Sequence, residues 1–291
     1  MSSTAGRRAD ARTDSERTTA APGGVPILAV DGLRKTFGRG RKEAVAVDGV
    51  SFELAAGGSL GIVGESGSGK TTTARMLIGL EQPTAGRIVL DGADHTRPAR
   101  RIRDLRARGR LIQIVFQDPY TSLDRRQKIG DCLGEVVRLH FGLSGSALDA
   151  RVRELGELVG LHDRQLRALP RELSGGQRQR VAIARALAAE PKILILDEAV
   201  SALDVSIQAQ ILNLLADIRE QRGVSYVFIS HDLAVIRQIT DTAIVMRHGR
   251  VVEQGQTADV LDSPQDPYTR LLRDSVPHAG WRPGADALVT S

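Results

Sequence analysis

Residues 60–79 read LGIVGESGSGKTTTARMLIG. The apolar run Leu60–Val63 has the composition of a short buried strand, and the residues after Lys70 carry a helical pattern. Between them, GESGSGKT at 64–71 satisfies G-x-x-x-x-G-K-[ST] through Gly64, Gly69, Lys70 and Thr71. Glycines let backbone N–H groups converge on phosphate oxygens without Cβ clashes. The helix start adds a favourable field for an anion. Lys70 is placed to reach β- and γ-phosphates and the Thr71 hydroxyl to ligate Mg²⁺. Glu65, Ser66, Gly67, Ser68 and Thr72 complete the nucleotide-binding stretch. A Gly/Ser turn that merely caps a helix is the bland alternative, and the order strand, loop, helix weighs against it.

Outward from this loop, strands and helices alternate. Segments 27–31, 44–54, 86–90, 111–116, 193–196, 224–229, 242–246 and 250–254 read as strands, with turn signals at Asp48-Gly49 and Asp91-Gly92. Helices are expected over 70–79, from Gly175 to about Ala189, over about 205–221 and from Asp232. The middle, about 118–188, is helical by periodicity, with Leu148, Val152, Leu155 and Val159 on one face. The pattern predicts an α/β fold with a mostly parallel sheet covered on both faces. Residues 1–24 lack large apolar side chains and read as a disordered tail. The cassette is expected over 25–255 and a C-terminal extension over 256–291, with short helices broken by Pro264 and Pro267.

ILILDE at 193–198 is an apolar strand ending in two acids. Open α/β sheets bind ligands at the carboxyl ends of their strands. Asp197 is therefore placed to hold Mg²⁺ through its water shell, and Glu198 to polarise or deprotonate an attacking water. Taken alone, such a pair is more often a helix cap and an exposed charge. Beside a phosphate loop, the catalytic reading dominates.

LSGGQ at 173–177 opens another helix with Ser174, Gly175, Gly176 and Gln177, a second anion-binding helix start. This pentapeptide resembles the signature of ATP-binding-cassette (ABC) ATPases, and the other motifs follow that family's order over about 27–255. The resemblance implies a P-loop NTPase cassette with a RecA-like parallel core, an N-terminal antiparallel β-subdomain and a helical signature subdomain. It implies that Gln117, in VFQD, touches Mg²⁺ and the attacking water. It implies that His231, in ISHD, contacts the γ-phosphate, and that Phe37 stacks on adenine. It also implies that Ser174, Gly175, Gly176, Gln177 and Asp204, in SALD, complete the ATP site of a second subunit docked head to tail. One chain with one copy of each motif must then pair with another ATPase subunit, most often a different one.

Three stretches narrow the resemblance: VFQDPYTSLDRR at 115–126, DEAVSALDVSIQAQILNLL at 197–215 and DPYTRLLRDSVP at 266–277. They are similar to the oligopeptide, dipeptide and nickel branch of ABC importers. That branch works with two membrane-spanning permease subunits and an extracellular substrate-binding protein, so the resemblance places this chain at the cytoplasmic face of the cell membrane. An accessory ATPase of a soluble carbon–phosphorus lyase complex is the alternative that shares the motifs. ABC proteins acting on nucleic acid carry a long coiled coil or a second cassette, and neither pattern is present.

Composition agrees. The 291 residues carry 40 basic and 35 acidic side chains, a net charge of +5. A single cysteine, Cys132, excludes an intrachain disulfide framework or an iron–sulfur cluster held by this chain alone, and reads as helix packing. No apolar run is long enough to span a bilayer, and no signal-peptide pattern follows Arg7-Arg8. Residues 97–110 hold seven arginines and one acid and read as a solvated face, with anionic lipid as the sharper alternative. Without interleaved aromatics, nucleic acid is not an expected partner.

Overall fold

The computed structural model describes residues 25–38, 40, 43–97, 99–118 and 123–275. The expected tail at 1–24 and the last part of the C-terminal extension lie outside them.

Two sheets organise the chain. The smaller is antiparallel, in the order β2-β1-β4-β5, from β1 (Leu28–Phe37), β2 (Ala44–Leu54), β4 (Ala85–Leu90) and β5 (Ala93–Asp94). The larger runs β10-β9-β3-β8-β7-β6. Its parallel strands are β3 (Ser59–Val63), β6 (Ile112–Val115), β7 (Ile193–Asp197), β8 (Ser225–Ile229) and β9 (Thr242–Arg247). β10 (Arg250–Gln256) closes one edge antiparallel to β9.

Alternation along the parallel strands sorts side chains into two cores. Ile62, Ile193, Ile195, Val227, Ile229, Ile244 and Met246 face the antiparallel sheet, with Met76 and Leu77 of helix α1 (Lys70–Leu77) between them. Leu194, Leu196, Tyr226, Phe228, Ala243 and Val245 face the other way, into the remaining helices. Both faces of these strands are buried, which is why their sequences read as unbroken apolar runs. Gly61 is the gap in the pattern: a Cβ there would lie 2.6 Å from Ile236 Cγ2, so the strand has no room for a side chain.

The helical middle comprises α3 (Ile129–Phe141), α4 (Gly145–Leu158) and α5 (Asp163–Arg167), followed by α6 (Gly175–Leu187). Leu148, Val152, Leu155 and Val159 are all buried, as their spacing predicts, and Cys132 is buried on α3. Helix α7 (Val205–Arg222) is capped by the Asp204 carboxylate, which accepts from Ile207 N–H at 3.0 Å, and α8 (Leu233–Ile239) by Asp232. α9 (Thr257–Asp262) and α10 (Pro267–Asp274) follow β10.

Three local features differ from the sequence reading. β1 runs to Phe37 rather than ending at residue 31, because register shifts around Asp31 and Leu33 break its alternation. Asp48-Gly49 is no turn: it lies inside β2, where an irregularity shifts the pairing from Leu33↔Val50 to Lys35↔Val47. The arginine-rich stretch contains helix α2 (Ile102–Leu111), and Arg108 is not part of a solvated face. It is buried, and its guanidinium donates to Leu77 O at 2.7 Å, Met76 O at 3.3 Å and His95 O at 3.0 Å. Those carbonyls include orphan acceptors at the end of α1, so one arginine of the seven ties that helix down. Among the described residues, no helix is long and apolar enough to cross a membrane.

Candidate functional site

The site gathers at the carboxyl ends of β3, β7 and β8, where an open parallel sheet presents its ligand groups. The loop after β3 has two glycines that admit no substitute. Gly64 sits at φ +148°, and a Cβ would fall 2.2 Å from Met246 O. Gly69 sits at φ +103°, and a Cβ there would fall 2.5 Å from Ala46 O. Gly67 has open space and is needed only for its φ of +82°. Glu65, Ser66 and Thr71 are exposed at the rim, Ser68 is buried and Thr72 half-buried.

Lys70 is buried, and its ammonium donates to Gly64 O at 2.6 Å and Glu65 O at 2.8 Å. Burial lowers its pKa, while Glu198, Asp197 and Glu65 pull the other way. Desolvation is the larger influence, so the loop holds a cation short of counter-charge, a setting that suits an anion.

Asp197 ends β7 and is buried, and Thr71 Oγ1 donates to its Oδ1 at 3.3 Å. Burial raises the carboxyl pKa, against the Thr71 hydrogen bond and with the Glu198 charge. A desolvated carboxylate beside a hydroxyl is a hard oxygen pair that fits Mg²⁺, which takes one or two protein oxygens and keeps its waters. Among the described residues there is no cluster of three or more His, Cys, Asp or Glu side chains to cage a metal by themselves, and such a magnesium site needs none.

Glu198 has φ +50°, a left-handed conformation that costs a non-glycine residue roughly 1–2 kcal/mol. Its N–H donates to Ile229 O at 2.9 Å and its carbonyl accepts from Ser201 Oγ at 2.9 Å, which hold the backbone there. The conformation aims the carboxylate at His231, whose Nδ1 lies 3.3 Å from Glu198 Oε1. Gln117 Nε2 donates to Ser201 Oγ at 3.4 Å. Gln117, Ser201, Glu198 and His231 thus form one connected row. Ser201 carries no motif of its own; its only signal in the sequence is membership of SALD.

Ser174, Gly175, Gly176, Gln177 and Asp204 form a separate group. Ser174 and Gln177 cap α6 reciprocally, with Gln177 N–H to Ser174 Oγ at 3.3 Å and Ser174 N–H to Gln177 Oε1 at 2.9 Å. A Cβ on Gly176 would lie 2.6 Å from Ile207 Cγ2, so α6 starts hard against α7. Gly175 is exposed, and a Cβ there would make only an ordinary contact with Leu203 Cδ2, at 3.8 Å. The hydrogen bonds of Ser174, Gln177 and Asp204 stay at their own helix starts and do not reach the phosphate loop. Phe37 stands apart at the end of β1, 41% exposed, with Lys35 Nζ 4.8 Å from its ring centre.

A phosphate loop on a parallel sheet, an acid pair at the neighbouring strand ends and a second glycine-rich helix start define a cassette of the P-loop nucleotide-binding class. The sequence model of the ABC transporter family matches residues 47–201, and the chain belongs to that family. Two relatives are the glutathione import ATP-binding protein GsiA of Escherichia coli (strain K12), 48% identical over 265 residues, and that of Salmonella typhimurium, 47% identical over 264. Each alignment covers 88% of this chain and 42% of the relative, so the chain spans about two fifths of their length. Among solved structures, the dimeric ATP-binding cassette MJ0796 in a post-hydrolysis state with ADP and Pi superposes at a TM-score of 0.71 and 29% identity, covering 79% of this chain and 99% of that one. The cbiO1 protein of Clostridium perfringens, part of the cbiONQ transporter complex, gives 0.71 and 28%, covering 82% and 91%.

Proposed function

We propose that this chain binds ATP on the phosphate loop, hydrolyses it, and so powers an ABC importer of the peptide type. The observation that carries the reading is the buried Asp197 carboxylate within hydrogen-bond reach of Thr71 at the mouth of that loop.

In this reading, the loop N–H groups and Lys70 bind the phosphates. Thr71 and Asp197 would hold Mg²⁺, with Gln117 as a further oxygen donor. When bound, magnesium neutralises charge on the β- and γ-phosphates. Glu198 orients the attacking water and takes its proton at the carboxylate. His231 holds that carboxylate and stands ready for the γ-phosphate, while Phe37 offers a ring face to adenine. Gln117 is tied to the Glu198 backbone through Ser201. Ser174, Gly175, Gly176, Gln177 and Asp204 serve the ATP of a second ATPase subunit, which their separation from this chain's own phosphate loop favours. ATP then holds two subunits together, and hydrolysis releases them.

The relatives named for glutathione import support a small peptide as cargo. The importer resemblance of the sequence adds permease subunits and an external binding protein as partners. The chain would work at the cytoplasmic face of the membrane. Affinity purification from detergent-solubilised membranes tests this, with every co-purifying subunit identified. Membrane-spanning permease subunits are expected. Recovery of soluble lyase subunits alone would replace the transport reading with the carbon–phosphorus lyase one.

A further inference from the structure

The phosphate loop is held from behind as well as from its helix. Gly249 N–H, in the β9–β10 turn, donates to Ser68 O at 3.1 Å. Met246 O closes the space beside Gly64. The third hold comes from far along the chain: Glu65 N–H donates to the Tyr268 hydroxyl oxygen at 3.1 Å.

Tyr268 sits on α10 with 3% of its surface exposed, and the Arg247 guanidinium carbon stacks 4.6 Å from its ring centre. The approach to α10 is fixed by several bonds. Glu253 on β10 accepts from Gln265 N–H at 2.7 Å and Asp266 N–H at 3.1 Å. The Asp266 carboxylate caps the helix by accepting from Tyr268 N–H at 2.8 Å. Arg270 Nε donates to Pro264 O at 3.0 Å. A residue needed only to fill space would have no use for a hydroxyl here. This one meets a backbone amide of the phosphate loop itself.

We propose that Tyr268 is a positioning residue for the nucleotide site: its hydroxyl fixes the Glu65 peptide, so that α10 sets the shape of the phosphate loop. The inference rests on the ATP reading of that loop. In the present arrangement Glu65 is held on both sides of its Cα, by Tyr268 at its N–H and by Lys70 at its carbonyl. Lys70 has three N–H donors, and those spent on Gly64 O and Glu65 O leave one for a phosphate. The Tyr268 bond holds the loop from the N–H side, away from that donor, and needs no rearrangement when ligand binds. A loop fixed beforehand binds more tightly, because less ordering is left for the ligand to drive.

The test uses the full-length chain, titrated with MgATP by calorimetry, as wild type, Tyr268→Phe, Glu253→Ala and the double variant. Phenylalanine keeps the ring and the Arg247 contact and removes only the hydroxyl. Tyr268→Phe is expected to weaken ATP binding about fivefold, the scale of one hydrogen bond. Hydrogen exchange at the Glu65 amide should speed up while that of Ile193–Asp197 is unchanged. Glu253→Ala should weaken binding similarly, and the double variant should be no worse than the worse single one. Wild-type affinity in Tyr268→Phe would overturn the proposal, even if thermal stability fell, because a purely structural role predicts that split. Effects that multiply in the double variant would overturn the route through α10. A wild-type chain that fails to bind ATP would instead sink the nucleotide reading, before any variant is compared.

Discussion

His231 Nδ1 stands 3.3 Å from Glu198 Oε1, so the residue just past β7 meets the residue two past β8. If Glu198 is the base and His231 holds it, the two act as a unit. Glu198→Gln should cut ATP turnover by about 10²–10⁴-fold while leaving ATP binding intact. His231→Ala should also lower turnover, and the double variant should be little worse than Glu198→Gln alone. Phosphate release and ATP titration measure both. Full turnover in Glu198→Gln would remove Glu198 from the chemistry.

Asp197 offers a test with a sign. Burial raises its folded pKa above the unfolded value, so the folded state binds the extra proton. Stability is therefore lost as pH rises through that folded pKa and regained as pH falls. Asp197→Asn keeps the acceptor for Thr71 and removes the charge. In the absence of nucleotide and magnesium it should melt higher than wild type at pH 7. The gain should shrink on acidification and be gone below the unfolded carboxyl value of about 3.9. A lower melting temperature for the variant at pH 7 would mean the charge is already compensated in the fold.

Gly64 and Gly67 separate space from conformation. Both have positive φ, but only Gly64 lacks room for a Cβ. Gly64→Ala should abolish ATP binding and lower stability by more than the roughly 1 kcal/mol expected for backbone strain alone in Gly67→Ala. Equal losses measured by chemical denaturation would show that the Met246 carbonyl yields.

Arg108→Met should destabilise the chain by about 2–3 kcal/mol, because buried carbonyls at the end of α1 lose a charged donor. Arg103→Met, on the same helix but exposed, should stay within about 0.5 kcal/mol. Urea midpoints compare the two.

These residues also show what a sequence can reveal. The placement of Lys70, Thr71, Asp197 and Glu198 is legible because its signals are local: a glycine loop between strand and helix, and acids at the end of an apolar run. The parallel core is legible for the same reason, since strands buried on both faces read as continuous apolar segments. Arg108 was hidden among like residues, and nothing in its spacing distinguishes the one that turns inward. Ser201 and Tyr268 were hidden because their partners, Gln117 and Glu65, lie 84 and 203 positions away. β1 reads short in the sequence because its irregular pairing breaks the alternation that marks a strand.

The central claim, that the loop at 64–71 is an ATP site built around Lys70, is tested most directly by titrating the full-length chain with MgATP beside Lys70→Ala. Saturable binding by the wild type and at least about tenfold weaker binding by the variant are expected, since a charge-assisted contact to phosphate is lost. Equal affinity in the two chains would contradict the claim.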